Sequence, residues 1–140
     1  MSYWLFKSEP SSWSWENQKN AGEKGETWDG VRNYQACNNM KKMKLGDSGF
    51  FYHSVTEKQI VGIVEIIKEY YPDPTDKTGR FGMVKVKALK SLPEPVSLSN
   101  IKSNNHLSNF QMLKQSRLSV VPVTNTEWKE ICKMANLKNF

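Results

Sequence analysis

The run Thr27-Trp28-Asp29-Gly30-Val31-Arg32-Asn33-Tyr34-Gln35 concentrates the chemistry of this chain. The Trp28 indole offers a flat face of the kind on which a nucleobase stacks. Asp29 accepts from a base amino group, and Asn33 both donates and accepts. The run feeds a helix N-terminus, where free backbone N–H groups and the positive end of the dipole suit a phosphate or a polar base edge. The competing structural reading has Trp28 plugging the core and Asp29 capping the helix. Gly30, Val31 and Tyr34 belong to the same candidate surface, and Arg32 is its candidate phosphate contact. Further candidates stand at strand ends, where a scaffold commonly displays binding groups: Lys7-Ser8-Glu9-Pro10, His53-Ser54 and Arg117-Leu118-Ser119. Each is bland alone. Together they put Ser, His and Arg around one barrel mouth.

Catalytic constellations are harder to find. The chain has two histidines, His53 and His106, and neither has a second ligand at metal-binding spacing. No HExxH, GxSxG, P-loop or GxGxxG motif occurs. Cys37 and Cys132 form no CxxC pair and read as buried thiols. A Cys37–His53 nucleophile pair would need a proximity that spacing alone does not supply. The expectation is a binding module without metal or cofactor.

The elements that must position these groups follow from patterning. Tyr3-Trp4-Leu5-Phe6 reads as a first strand, and Ser14 as the N-cap of a short helix over residues 15–19. Asn33 caps a helix running to about Lys44, with Ala36, Met40 and Met43 as its apolar stripe and Gly46 as its stop. Phe50 to His53 is a strand. Ile60 to Tyr70 is a longer one, with a bulge at Gly62. Phe81 to Leu89 alternates as a strand that Pro93 and Pro95 should end. Two short helical pieces fall between Ser97 and Lys114, then a strand over Leu118 to Val123. A final helix is opened by a Thr124/Glu127 capping box, with Trp128, Ile131, Cys132 and Ala135 inward. Short strands with interspersed helices and no βαβ rhythm indicate an α+β fold around a small barrel, in one domain over residues 1–140.

Composition sets the outer bounds. A chain of 140 residues with 38% hydrophobic and 24% charged residues is globular. No apolar run approaches the roughly 20 residues that span a bilayer. The start Met1-Ser2-Tyr3-Trp4 lacks the pattern of a secretory signal, so the expected location is the cytoplasm of a bacterium or the nucleus of a eukaryote. A net charge of +6 suits a polyanionic partner.

These segments in this order resemble the EVE domain family of the PUA-like superfold. The matching stretches are Trp4-Leu5-Phe6-Lys7-Ser8-Glu9-Pro10, residues 28–36, Leu45-Gly46-Asp47, Phe51-Tyr52-His53-Ser54, and Ser116-Arg117-Leu118-Ser119-Val120 with Pro122-Val123. The resemblance implies a pseudo-barrel of five to six mostly antiparallel strands flanked by short helices, related in shape to YTH domains. It also implies capture of a modified base from DNA or RNA, with modified cytosine in DNA favoured. Trp28 and Phe81 would then sandwich the ring, Ser8, Asp29 and Asn33 would read its edge, and Ser54 would border the pocket. Lys7, Arg32 and Arg117 would hold phosphates. Modified RNA such as tRNA is the alternative ligand, and a small enzyme acting on a modified base or nucleotide the alternative class. A bare reader would call for a separate effector protein. Three positions depart from the family pattern: Cys37 replaces the usual Arg, Phe81 a frequent Trp, and Lys85 a frequent Asp.

Overall fold

The computed structural model describes residues 1–138 and 140. Its strands are β1 (Tyr3–Ser8), β2 (Glu26–Thr27), β3 (Ser48–His53), β4 (Gln59–Pro72), β5 (Gly82–Ser97) and β6 (Val120–Val123). Its helices are α1 (Trp15–Asn20), α2 (Tyr34–Lys41), α3 (Leu98–Ser103), α4 (Gln111–Lys114) and α5 (Asn125–Met134), with 3-10 turns at Gly22–Lys24 and Asn105–Leu107. The six strands form one sheet in the order β2-β5-β4-β3-β1-β6. The pairing of β1 with β3 is parallel and the others are antiparallel. The expected α+β class with mostly antiparallel strands therefore holds; in its hydrogen bonding the sheet is open, with β2 and β6 as edges.

Locally coded features appear where the residues place them. Ser14 and Thr124 each close a capping box, with Asn17 and Glu127 respectively, and Asn33 caps α2 by accepting from Ala36 N–H. The register of β3 against β4 shifts between Phe51 and Tyr52, opposite Gly62, so the bulge is real. That glycine admits an aromatic ring: a Cβ at Gly62 would lie 2.2 Å from the Trp15 ring. α2 ends at Lys41, three residues earlier than the stripe suggests, and Met43 reaches the core from the following turn at 1% exposure.

Pro93 and Pro95 do not end β5, which continues to Ser97. The pairing with β4 skips from Gly62↔Ser91 to Ile60↔Val96, so both prolines fall in an unpaired stretch. β2 covers β5 only at Lys85 and Val86, which leaves the far edge without a ladder for a missing N–H to break. The core runs through Phe6, Phe50, Phe51, Ile63, Ile66 and Trp128, all essentially inaccessible. Trp128 lies stacked between Tyr3 and Phe50, with ring centroids 4.3 and 4.0 Å away.

Candidate functional site

Parallel pairing brings the ends of β1 and β3 together. Ser8 registers with His53, and Ser54 N–H donates to the Ser8 carbonyl at 2.9 Å. Beside this point β5 carries the next segment, because Trp28 N–H donates to the Val84 carbonyl at 2.8 Å. Between the two lies a cavity of about 450 Å³. The end of β1 contributes Lys7, Ser8 and Glu9, the following turn Ser12 and Trp13, and the β2 segment Glu26, Thr27, Trp28 and Asp29.

Trp28 lies between the core and the cavity. Its ring meets Phe6 and Phe51 edge-on, with centroids 5.1 and 5.7 Å away, and it also lines the cavity. The second aromatic wall is Trp13, which the sequence reading passed over. Its indole N–H donates to Gln18 Oε1 at 2.9 Å, and the fully buried Gln18 in turn donates to the Val86 carbonyl at 3.2 Å. A tryptophan flanked by serines just before a helix cap was the available signal.

The lining charge is mixed, one ammonium against three carboxylates. Lys7 Nζ donates to the Ser116 carbonyl at 2.8 Å, and burial pulls its pKa below the usual lysine value. Glu26 accepts from the N–H and hydroxyl of Thr27, and Glu9 accepts from the Ser11 hydroxyl. Asp29 is exposed and accepts no hydrogen bond among the described residues. The Ser8 hydroxyl donates to the Trp13 carbonyl, so only its lone pairs face a ligand.

The turn after Asp29 is held from outside the cavity. Gly30 adopts φ +77°, a conformation glycine takes without strain, and its N–H donates to Asp73 Oδ2 at 2.9 Å. Asp73 also accepts from Arg32, the Thr75 N–H and the Thr75 hydroxyl. Burial works against the charge of Asp73, but these bonds prevail and hold its pKa at about 2. Asp73 was not legible in the sequence, because the bonds that tie it to this turn come from Gly30 and Arg32, about forty positions away.

The remaining candidates sit elsewhere. Val31 is buried in the core at 7% exposure. Asn33 spends its side-chain oxygen on the α2 cap and borders a separate shallow groove with Arg117. Arg32 is ion-paired with Asp73 at 3.1 Å and bonded to Thr75. Phe81 packs on the exposed Tyr34 at 4.9 Å, with the Arg32 guanidinium 5.8 Å from its ring, so it does not face Trp28 across the cavity. Ser54 lines a second cavity that meets the first at Lys7.

Cys37 and His53 do not meet. Cys37 Sγ lies 3.2 Å from the Tyr70 hydroxyl, and burial together with this contact pushes the Tyr70 pKa up to about 12. His53 Nε2 accepts from Trp15 N–H at 3.0 Å, which leaves Nδ1 to donate to Glu57 at 3.1 Å. Cys132 is buried, and burial raises its thiol to about 11, away from reactive thiolate character. Among the described residues no group of three His, Cys, Asp or Glu side chains is placed to hold a metal, and no helix is long and apolar enough to cross a membrane.

An open, mostly antiparallel sheet with short helices has the YTH-like fold. The YTH domain of the Zygosaccharomyces rouxii MRB1 protein, solved with N6-methyladenosine RNA, shares the fold at a TM-score of 0.58 and 17% identity, over 99% of this chain and 90% of that one. Residues 2–134 match the EVE domain, and this chain belongs to the EVE family. It is similar to human thymocyte nuclear protein 1, at 34% identity over 91% of this chain and 71% of that protein. Protein Atu2648 from Agrobacterium tumefaciens superposes with a TM-score of 0.97 at 49% identity, over 100% of this chain and 97% of that one. The human THYN1 protein, solved in complex with DNA containing 5-methylcytosine, superposes with a TM-score of 0.91 at 32% identity, over 99% of each chain.

Proposed function

We propose that this chain is a non-catalytic nucleic-acid-binding module that takes a modified base, modified cytosine in DNA first, into the cavity between the end of β1 and the 26–29 segment. The observation that carries the reading is the lining itself: two indoles, Trp13 and Trp28, with unpaired carboxylate capacity at Asp29 and an ammonium at Lys7. A volume of about 450 Å³ lies within the range of small-molecule sites, roughly 300–1,000 Å³.

The lining favours cytosine on chemical grounds. Cytosine presents an amino group at its 4-position, for which Asp and Glu are natural acceptors, whereas thymine and uracil present a carbonyl oxygen there. A carboxylate facing that oxygen is left without a donor, so a base lacking the amino group should be disfavoured strongly. The added methyl is read by apolar contact and contributes a smaller discrimination, about 1–3 kcal/mol. The neutral base enters among the carboxylates while its phosphate stays at the rim with Lys7. Arg117, exposed on the neighbouring groove, serves the flanking backbone. The Ser8 hydroxyl is committed to the Trp13 carbonyl, and no His or Cys among the described residues lines the cavity to activate a nucleophile, which supports binding over turnover.

The test is a competition panel of single-stranded oligonucleotides, deoxy and ribo, carrying cytosine, 5-methylcytosine, thymine or N6-methyladenine at one position. Tightest binding to the 5-methylcytosine deoxy strand, weakened by Trp28→Ala and Asp29→Asn, is the expected result. Equal affinity across the panel, or a chemically altered base recovered after incubation, sinks it.

A further inference from the structure

Next to the first cavity lies a second, of about 370 Å³, and Lys7 is shared by both linings. The two differ in character. The first holds three carboxylates. The second is ringed by Lys7, Lys58 and Lys102, and no carboxylate among the described residues lines it. Glu57, on the adjoining rim, is engaged by His53 Nδ1 at 3.1 Å. The floor is apolar, built from Leu98, Met112 and Leu113.

The wall toward solvent is a held turn. Val55 adopts φ 70° at 60% exposure, and Lys58 adopts φ 51°. A β-branched residue in the left-handed region is a true backbone outlier, of the kind that clusters at binding sites. The turn is fastened to α3 by the Leu98 N–H donating to the Lys58 carbonyl at 2.8 Å. Lys7 is fastened by the carbonyl of Ser116, itself a lining residue of the second cavity.

We propose that this second cavity receives the nucleotide adjacent, on the same strand, to the base held in the first. The inference rests on the reading of the first cavity as a base site. The phosphate joining the two nucleotides lies at Lys7, among the described residues the one cation common to both cavities. The neighbouring base lies on the Leu98, Met112 and Leu113 floor, and the next phosphate meets Lys58 and Lys102. Apolar contact with a base face is tolerant of sequence, so this subsite sets the length of strand recognised more than its sequence. The recognition unit is a modified base plus one neighbour.

Chemical-shift titration of the isotopically labelled chain separates the two cavities. The probes are 5-methyl-2′-deoxycytidine and a single-stranded deoxytrinucleotide with 5-methylcytosine at its centre and a phosphate at each end. The nucleoside should shift the Trp13 and Trp28 indole N–H signals alone. The trinucleotide should shift these and also the backbone N–H signals of Leu98, Lys102 and Leu113, with an affinity at least about tenfold higher. Two dinucleotides, with the neighbour on either side, then fix the strand direction. The double variant Lys58→Gln/Lys102→Gln should bind the trinucleotide more weakly and with a log–log salt slope shallower by about 0.7. Its folded state is checked by the dispersion of the same spectra. A trinucleotide that shifts only the indole signals overturns the second subsite and leaves the first standing. Absence of indole shifts with either probe overturns the first-cavity reading, and this inference with it. An acidic peptide that shifts the Leu98, Lys102 and Leu113 signals as strongly as the trinucleotide assigns the cavity to a protein partner and overturns the proposal.

Discussion

A carboxylate sequestered at 2% exposure destabilises the fold unless its oxygens are hydrogen-bonded, and Asp73 meets that condition through Gly30, Arg32 and Thr75. The same bonds fix the turn that carries Trp28 and Asp29 to the cavity. The folded pKa of Asp73, about 2, lies below the ordinary 3.8. On acidification the unfolded chain takes up this proton first, so the stabilisation is intact above about pH 4 and is lost as pH falls toward 2. Thermal melts of wild type and Asp73→Asn between pH 7 and 2 check this: the difference in Tm should be largest at neutral pH and shrink through that window. Asp73→Asn should also weaken base binding without altering any cavity-lining group. Arg32 and Arg117 should separate in the same way. Arg32→Ala should lower Tm, since its guanidinium is tied to Asp73 and Thr75. Arg117→Ala should leave Tm in place and make the log–log salt slope of single-strand binding shallower by about 0.7.

At the scale of elements, α1 is set across the sheet by one ring. Trp15 crosses β4 over Gly62, its N–H bonded to His53 and its indole to Ser91 at 2.8 Å. An added methyl at Gly62 has no room unless this ring, held at its indole N–H by Ser91, moves. Gly62→Ala should therefore cost about 1–3 kcal/mol, read as a lower urea midpoint at unchanged slope. The bulge was legible in the sequence because a lone glycine in a strand pattern is a local signal, and so were the caps at Ser14, Asn33 and Thr124. The two-residue β2 was not legible. Glu26 and Thr27 become strand only because Val86 and Lys85 lie opposite, a pairing no local pattern encodes. The same reason hid the continuation of β5 past Pro93 and Pro95, where the absent edge partner decides the matter. Within the site, Trp28, Asp29, Lys7 and Ser8 stood out by residue type. Asp73 did not, since Gly30 and Arg32 lie far from it in sequence, and Trp13 did not, since only the fold brings it to the same cavity as Trp28. Phe81 was assigned to the wrong neighbour by analogy with a two-ring sandwich: it packs on Tyr34, and Trp13 stands with Trp28.

At the scale of the whole molecule, a net charge of +6 coexists with a cavity whose own lining is net negative. The two signs have separate tasks. The distributed lysines attract the polyanion, an effect that salt screens. Under the proposed function the carboxylates act at contact on an amino-bearing base edge and are less exposed to that screening. Raising salt should therefore weaken modified and unmodified strands in parallel, with a log–log slope of about −0.7 for each phosphate held on a single strand, while the ratio between them stays constant. Strand form adds a further term. A base paired in duplex must first leave its stack, at a cost of a few kcal/mol. The order of affinity for the same modified cytosine should thus be single strand, then mismatched duplex, then matched duplex. Fluorescence anisotropy on the three forms at several salt concentrations measures both effects together. A matched duplex bound as tightly as the single strand would mean that the base is read in the groove, and the Trp13–Trp28 cavity would then have no part in recognition.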